Sequence, residues 1–125
     1  MNKRFYVPLL IVIATTLGAC SSSDDSTSRV DAEVIASSMI IDVRTPEEYA
    51  AGHLEGATLI DIKDASFDAK IAELDPSGSY IIYCRSGNRS AQAVERLKAA
   101  GFTNLTDLGS LENASNETGI AIVTN

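Results

Sequence analysis

From about residue 30 onward, apolar and polar positions follow two rhythms in turn, one helical and one of short continuous runs. Ala32 to Met39 carries the helical pattern, and Met39-Ile40-Ile41-Asp42-Val43 reads as a buried strand. Thr45-Pro46-Glu47-Glu48 opens the next helix. Thr45 can cap it, Pro46 suits a first position that needs no N–H, and Glu48 stands at capping-box spacing. Ala57 to Ile62 is a second strand candidate, Ser66 to Leu74 a helix, and Asp75-Pro76-Ser77-Gly78 a turn. Tyr80-Ile81-Ile82-Tyr83 predicts a central strand. In the helix beyond it, Ala93, Val94, Leu97 and Ala100 share one face and Gly101 supplies a left-handed stop. Leu105 to Leu108 is the last strand candidate. Strands alternating with helices predict an α/β domain, a parallel sheet covered on both faces.

The first thirty residues follow neither rhythm. Lys3 and Arg4 precede a largely apolar stretch, Phe5 to Ala19, which is shorter than the roughly 20 residues a membrane-crossing helix needs and has the pattern of a secretory signal. It ends in Leu17-Gly18-Ala19-Cys20, which resembles the lipobox of bacterial lipoproteins, in which the Cys is acylated. Residues 1–19 are thus expected to be a signal peptide and Cys20 a lipid anchor. Residues 20–29, including the apolar-free Ser21 to Ser28, would be a solvated tether and 30–125 the domain. Ser21 stands where retention signals of such lipoproteins usually have Asp. The resemblance therefore implies an outer-membrane anchor facing the periplasm, if the source has two membranes.

Composition narrows the partners. The 125 residues are 45% hydrophobic and 22% charged, with 10 Lys+Arg against 17 Asp+Glu, a formal −7 that becomes more acidic once Lys3 and Arg4 are removed. Such a surface repels a phosphate backbone, so no nucleic-acid partner is expected. With Cys20 acylated, Cys84 is the one remaining thiol, so no intramolecular disulfide framework can form. One His, His53, and one thiol cannot supply a closed metal site.

Chemistry concentrates at Cys84-Arg85-Ser86-Gly87-Asn88-Arg89-Ser90, where a buried strand gives way to a helix. Ligands of open α/β sheets bind beyond the carboxyl ends of the strands. A loop of small residues leading into a helix N-terminus aims several N–H groups at one point, and Arg85 and Arg89 add charge. The Cys84 thiol should therefore ionise more readily than an isolated one.

Ile41-Asp42-Val43-Arg44-Thr45-Pro46-Glu47-Glu48-Tyr49, Gly52-His53-Leu54-Glu55-Gly56-Ala57, the Cys84 to Ser90 loop and Gly101-Phe102-Thr103-Asn104-Leu105, in that order and spacing, resemble a single-domain rhodanese. The resemblance implies a central five-stranded parallel sheet and a Cys84 that carries sulfane sulfur as a persulfide. The donor would be thiosulfate or a similar small anion, the acceptor a thiol or cyanide, and no cofactor is implied. Residues Arg85 to Ser90 would bind substrate, with Arg85 the candidate for the sulfonate. Arg89 either joins it or braces the loop against Asp42 or Glu48, and Asp42, Arg44 and Glu48 are expected to support the loop.

Other readings remain. A Cys-dependent phosphatase of this fold needs Arg six positions after the nucleophile, where Ser90 stands here. A lipid-anchored binding or redox-sensing module without turnover is the alternative of a different class. His53 is expected to serve structure rather than catalysis. Two departures from the family stand out: Glu55 where Pro is frequent, and Ser110 and Ala114 where a second Gly and a Trp are usual, which puts the packing of Leu111 to Asn125 in question. Ile120 to Val123 is expected to dock as a strand or an apolar tail.

Overall fold

The computed structural model describes residues 29–125; the expected signal peptide, Cys20 and the tether up to Ser28 lie outside the described residues. In chain order the elements are α1 (Ala32–Ser37), β1 (Ser38–Asp42), α2 (Pro46–Ala51), β2 (His53–Leu54), β3 (Thr58–Leu59), α3 (Phe67–Ala72), β4 (Ser79–Cys84), α4 (Asn88–Ala99), β5 (Asn104–Ser110), α5 (Leu111–Thr118) and β6 (Ile122–Val123). The main sheet has the order β3-β1-β4-β5, with every neighbouring pair parallel.

The two-residue period of the strands sorts the apolar side chains into two layers. Along β4, Tyr80, Ile82 and Cys84 join Ile41, Val43, Phe67 and Leu97 on the side covered by α3 and α4. Ile81 and Tyr83 point the other way, to Ile40, Leu54, Leu108 and Ala114, where Ile35, Tyr49 and Leu111 close the layer from α1, α2 and α5. Helices therefore flank both faces, as the alternation predicted.

The sheet has four strands among the described residues, not the five implied by the resemblance. The runs left over are too short to extend it. His53–Leu54 and Ile122–Val123 pair with each other in a separate antiparallel ribbon, and the Val30 N–H goes to the Glu117 carbonyl of α5 rather than to a strand edge.

That ribbon also accounts for Glu55. Its backbone N–H donates to the Ala121 carbonyl at 2.9 Å, a bond that the Pro frequent at this place could not make. The C-terminal segment is ordered by the same means. The Ser110 side chain caps α5, Ala114 is fully buried in the place of the large aromatic, and Ile122–Val123 docks as a strand.

Candidate active site

Cys84 ends β4, where the register against β5 shifts between Ile82 and Cys84 and Cys84 comes to pair with Ser110. The chain then turns through Arg85, Ser86 and Gly87 into the first turn of α4. Gly87 has φ +96°, a left-handed conformation that costs a residue with a side chain about 1–2 kcal/mol. This turn sends the Gly87 N–H back onto Cys84 Sγ at 2.9 Å. Space alone does not require the glycine: a Cβ on Gly87 would make ordinary contact with Cα of Gly109 at 3.5 Å, so the demand comes from the backbone angle.

Cys84 is fully buried and is the one free cysteine among the described residues. Its Sγ lies 3.5 Å from the Ser90 hydroxyl, which itself donates to the Gly87 carbonyl at 3.0 Å. Burial pushes the thiol up. The Ser90 hydroxyl and the N–H groups of Ser90, Gly87 and Ser86 outweigh burial and hold it below the ordinary thiol value. The expected cradle is present, and it is made mainly of backbone.

Arg89 turns away from the sulfur. Its guanidinium makes a two-pronged pair with Glu48 at 2.7 and 2.8 Å, and that pairing, helped by Thr45 against the effect of burial, lowers the Glu48 carboxyl to about 2. Glu48 simultaneously closes the capping box of α2, taking the Thr45 N–H while the Glu48 N–H donates to Thr45 Oγ1. One carboxylate thus joins the start of α2 to the start of α4. Of the two expected partners for Arg89, Asp42 is already taken: buried Arg44 donates to it through Nε and Nη2 and reaches on to the Gly52 carbonyl. Arg44 also lies over the Tyr83 ring at 5.6 Å. The Tyr83 oxygen accepts the Leu54 N–H, and burial keeps that phenol neutral.

His53 has the structural place expected of it. It stacks on Tyr49 with ring centroids 3.7 Å apart, and its Nδ1 lies 2.8 Å from the Tyr49 carbonyl. Among the described residues no group of three or more His, Cys, Asp or Glu could hold a metal ion.

The remaining loop side chains divide. Ser86 and Asn88 are exposed, so Ser86 serves through its N–H, and the Asn88 side chain accepts from Gln92 at 3.5 Å. Arg85 is exposed too and lines an open cavity of about 360 Å³ together with Arg44, Glu48, Gly52, Leu111 and Glu112. Sequence reasoning missed Glu112, which comes from the segment that departs most from the family.

The sequence and the fold are similar to those of known proteins. The family model described as "Rhodanese-like domain" matches residues 24–117. The chain is 35% identical over 80 residues to thiosulfate sulfurtransferase PspE of Escherichia coli (strain K12), covering 64% of this chain and 77% of that protein. It is 36% identical over 67 residues to thiosulfate sulfurtransferase GlpE of Pseudomonas entomophila, covering 54% of this chain and 60% of that one. Among solved structures, "rhodanese with anions from E. coli" superposes with a TM-score of 0.59 at 31% identity, over 70% of this chain and 99% of the other.

Proposed function

Because the chain belongs to the family of rhodanese-like domains, we propose that it is a sulfurtransferase that carries a sulfane sulfur on Cys84 as a persulfide. The observation that carries this reading is the environment of Cys84 Sγ, a buried thiol whose ionised form is favoured by the Gly87 N–H at 2.9 Å and the Ser90 hydroxyl. The Cys84 thiolate attacks the outer sulfur of thiosulfate. A bond forms from Sγ to that sulfur, the donor's S–S bond breaks, and sulfite leaves with the electron pair. An acceptor thiolate or cyanide then attacks the outer sulfur of the persulfide and returns Cys84 to the thiolate. Both steps move negative charge along one axis, and N–H groups fixed before the reaction stabilise it without reorganising. Arg85 is the side chain free to meet the sulfonate, while Arg89, with Glu48, braces the loop.

The phosphatase reading is disfavoured because Ser90, not Arg, stands six residues after the nucleophile and because Arg89 is engaged by Glu48. A binding module has no use for a thiol with a lowered pKa, and a redox sensor would present that thiol to solvent, whereas Cys84 is fully buried. We further propose that residues 1–19 are a signal peptide and that Cys20 is acylated. Residues 20–29 would then tether the 30–125 domain to a membrane facing the periplasm, a reading that rests on the Leu17-Gly18-Ala19-Cys20 motif.

The test is to incubate the reduced protein with thiosulfate and then cyanide, following intact mass for one added sulfur and solution for thiocyanate. Wild-type protein gains and loses one sulfur, and Cys84→Ser gains none. A folded wild-type protein that takes up no sulfur refutes the reading, as does a Cys84→Ser variant that still transfers it.

A further inference from the structure

A cavity of about 330 Å³ lies at the end of the sheet remote from Cys84, where β1, β4 and β5 begin. The parallel register fixes its floor. Ser38 pairs with Ser79 and Ser79 with Asn104, so three small polar residues stand side by side across three strands. Neighbouring strands are about 4.8 Å apart, which makes the row about 10 Å wide. The two-residue period turns Ser38 and Ser79 to the side of Ile40 and Ile81, the layer that α1 helps to cover, and Thr106, aligned with Ile81, shares that side. Val34 of α1 and Leu105 supply the apolar part of the lining, and Thr103 adds a further hydroxyl.

Two properties set this cavity apart from the one beside the loop. No charged side chain lines it, whereas Arg44, Glu48, Arg85 and Glu112 line the other. Its lining also includes the one buried side-chain polar atom without a partner among the described residues, Ser38 Oγ. The Ser38 N–H is spent on the Ile35 carbonyl at the end of α1, so the hydroxyl is what the residue has left to offer. Buried polar groups are nearly always paired, because an unmade bond has no water to replace it. A serine hydroxyl reaches a new partner by one turn about χ1 from one staggered well to the next. Asn104 is lightly engaged as well, its amide donating to the Ser77 carbonyl at 3.5 Å.

The lining chooses the class of ligand. An anion finds no cation here, in a chain whose formal charge is −7, and a cation finds no carboxylate. Hydroxyls and a side-chain amide each donate and accept, so they are matched by a neutral molecule that does both at several points. Val34 and Leu105 suit the C–H surface that such a molecule shows between its hydroxyls. The volume is at the small end of ligand pockets, roughly 300–1,000 Å³, which is room for one ring. We propose that this cavity binds a neutral sugar ring, held by Ser38, Ser79, Asn104 and Thr106. Ser79 and Cys84 are the two ends of β4, about 17 Å apart at strand spacing, so this site goes beyond the sulfurtransferase reading and does not rest on it.

The experiment titrates ¹⁵N-labelled protein with D-glucose, D-galactose, D-mannose and N-acetyl-D-glucosamine and follows the amide shifts, with inorganic phosphate and choline as charged controls. At least one sugar should move the amides of Val34, Ser38, Ser79 and residues 103–106 in a saturable way, with a dissociation constant of about 1–10 mM for a ligand of this size. The amides of residues 85–90 should stay in place. Thr106→Val and Ser38→Ala each remove one hydroxyl and should weaken binding about fivefold, the loss of one net hydrogen bond. Ser38→Ala should melt at or above the wild-type temperature, because it deletes a hydroxyl that has no partner. Still amides with all four sugars, equal movement with phosphate or choline, or full affinity in both variants overturns the inference. Loading of Cys84 from thiosulfate is measured separately, and its failure overturns the sulfurtransferase reading alone.

Discussion

Replacing Glu48 with Gln removes one charge and leaves almost everything else in place, since Gln serves as well as Glu at the third position of a capping box. The carboxyl falls from 4.5 to about 2 in the folded protein, chiefly through the hydrogen bonds from Arg89. Taken at face value, that drop favours the ionised form by roughly 3 kcal/mol, at 1.36 kcal/mol per pH unit. The Glu48 side chain is 25% exposed and Arg89 18%, so water screens the pair and the expected contribution shrinks to about 1 kcal/mol. A folded-state value below the unfolded one means that the unfolded chain binds more protons between the two. The contribution is therefore complete above pH 4.5 and drains away as the pH falls towards 2. Urea denaturation of wild-type protein and Glu48→Gln at pH 7 should differ by about 1 kcal/mol, or about 4–8 °C in Tm for a domain of this size. At pH 2.5 the gap should have shrunk to about a quarter of that. A gap of the same size at both pH values, or none at pH 7, would refute the assignment of this stability to the Glu48–Arg89 charge pair.

Ser90→Ala removes the hydroxyl 3.5 Å from Cys84 Sγ, and the pH midpoint of iodoacetamide alkylation should rise, with slower labelling at pH 7. An unchanged midpoint would show that the backbone N–H groups alone set the thiol. Glu55→Pro deletes the N–H that donates to Ala121, so hydrogen exchange should quicken at Ile122 and Val123 and stability should fall by about 1 kcal/mol. Protection of the C-terminal ribbon equal to wild type would contradict that pairing.

Elements that announce themselves over several consecutive residues were legible in the sequence. The run of Ile40 and Ile41 in β1, the Tyr80 to Tyr83 run and the Thr45–Glu48 capping box became what their patterns predicted, and so did the helical face of Ala93, Val94 and Leu97, but Ala100, expected on that face, is the exposed residue that closes the helix end. The four strand candidates read from residue patterns correspond to the four strands of the main sheet, and the fifth came only from the resemblance. The β2–β6 ribbon was illegible as a pair because two-residue strands have no period, and His53 meets Val123 from the far end of the domain. The site divides in the same way. The Cys84 to Ser90 cradle is contiguous and could be read. The partner of Arg89 was open between Asp42 and Glu48 until geometry showed Arg44, two residues from Asp42, occupying that carboxylate. The cavity wall at Glu112 could not be read, because it depends on how α5 is laid down after an atypical segment.

The placement of Cys84 at the end of an alternating strand ties chemistry to folding fidelity. Its neighbour Tyr83 faces the opposite layer and Ile82 faces the same one, so sliding β4 by a single residue would put a phenol where the sulfur belongs and drive the thiol into the wrong half of the interior. The Gly87 N–H and the Ser90 hydroxyl meet the sulfur with Ser79 to Cys84 in step with both flanking strands, so the register of one strand sets the chemistry of its last residue.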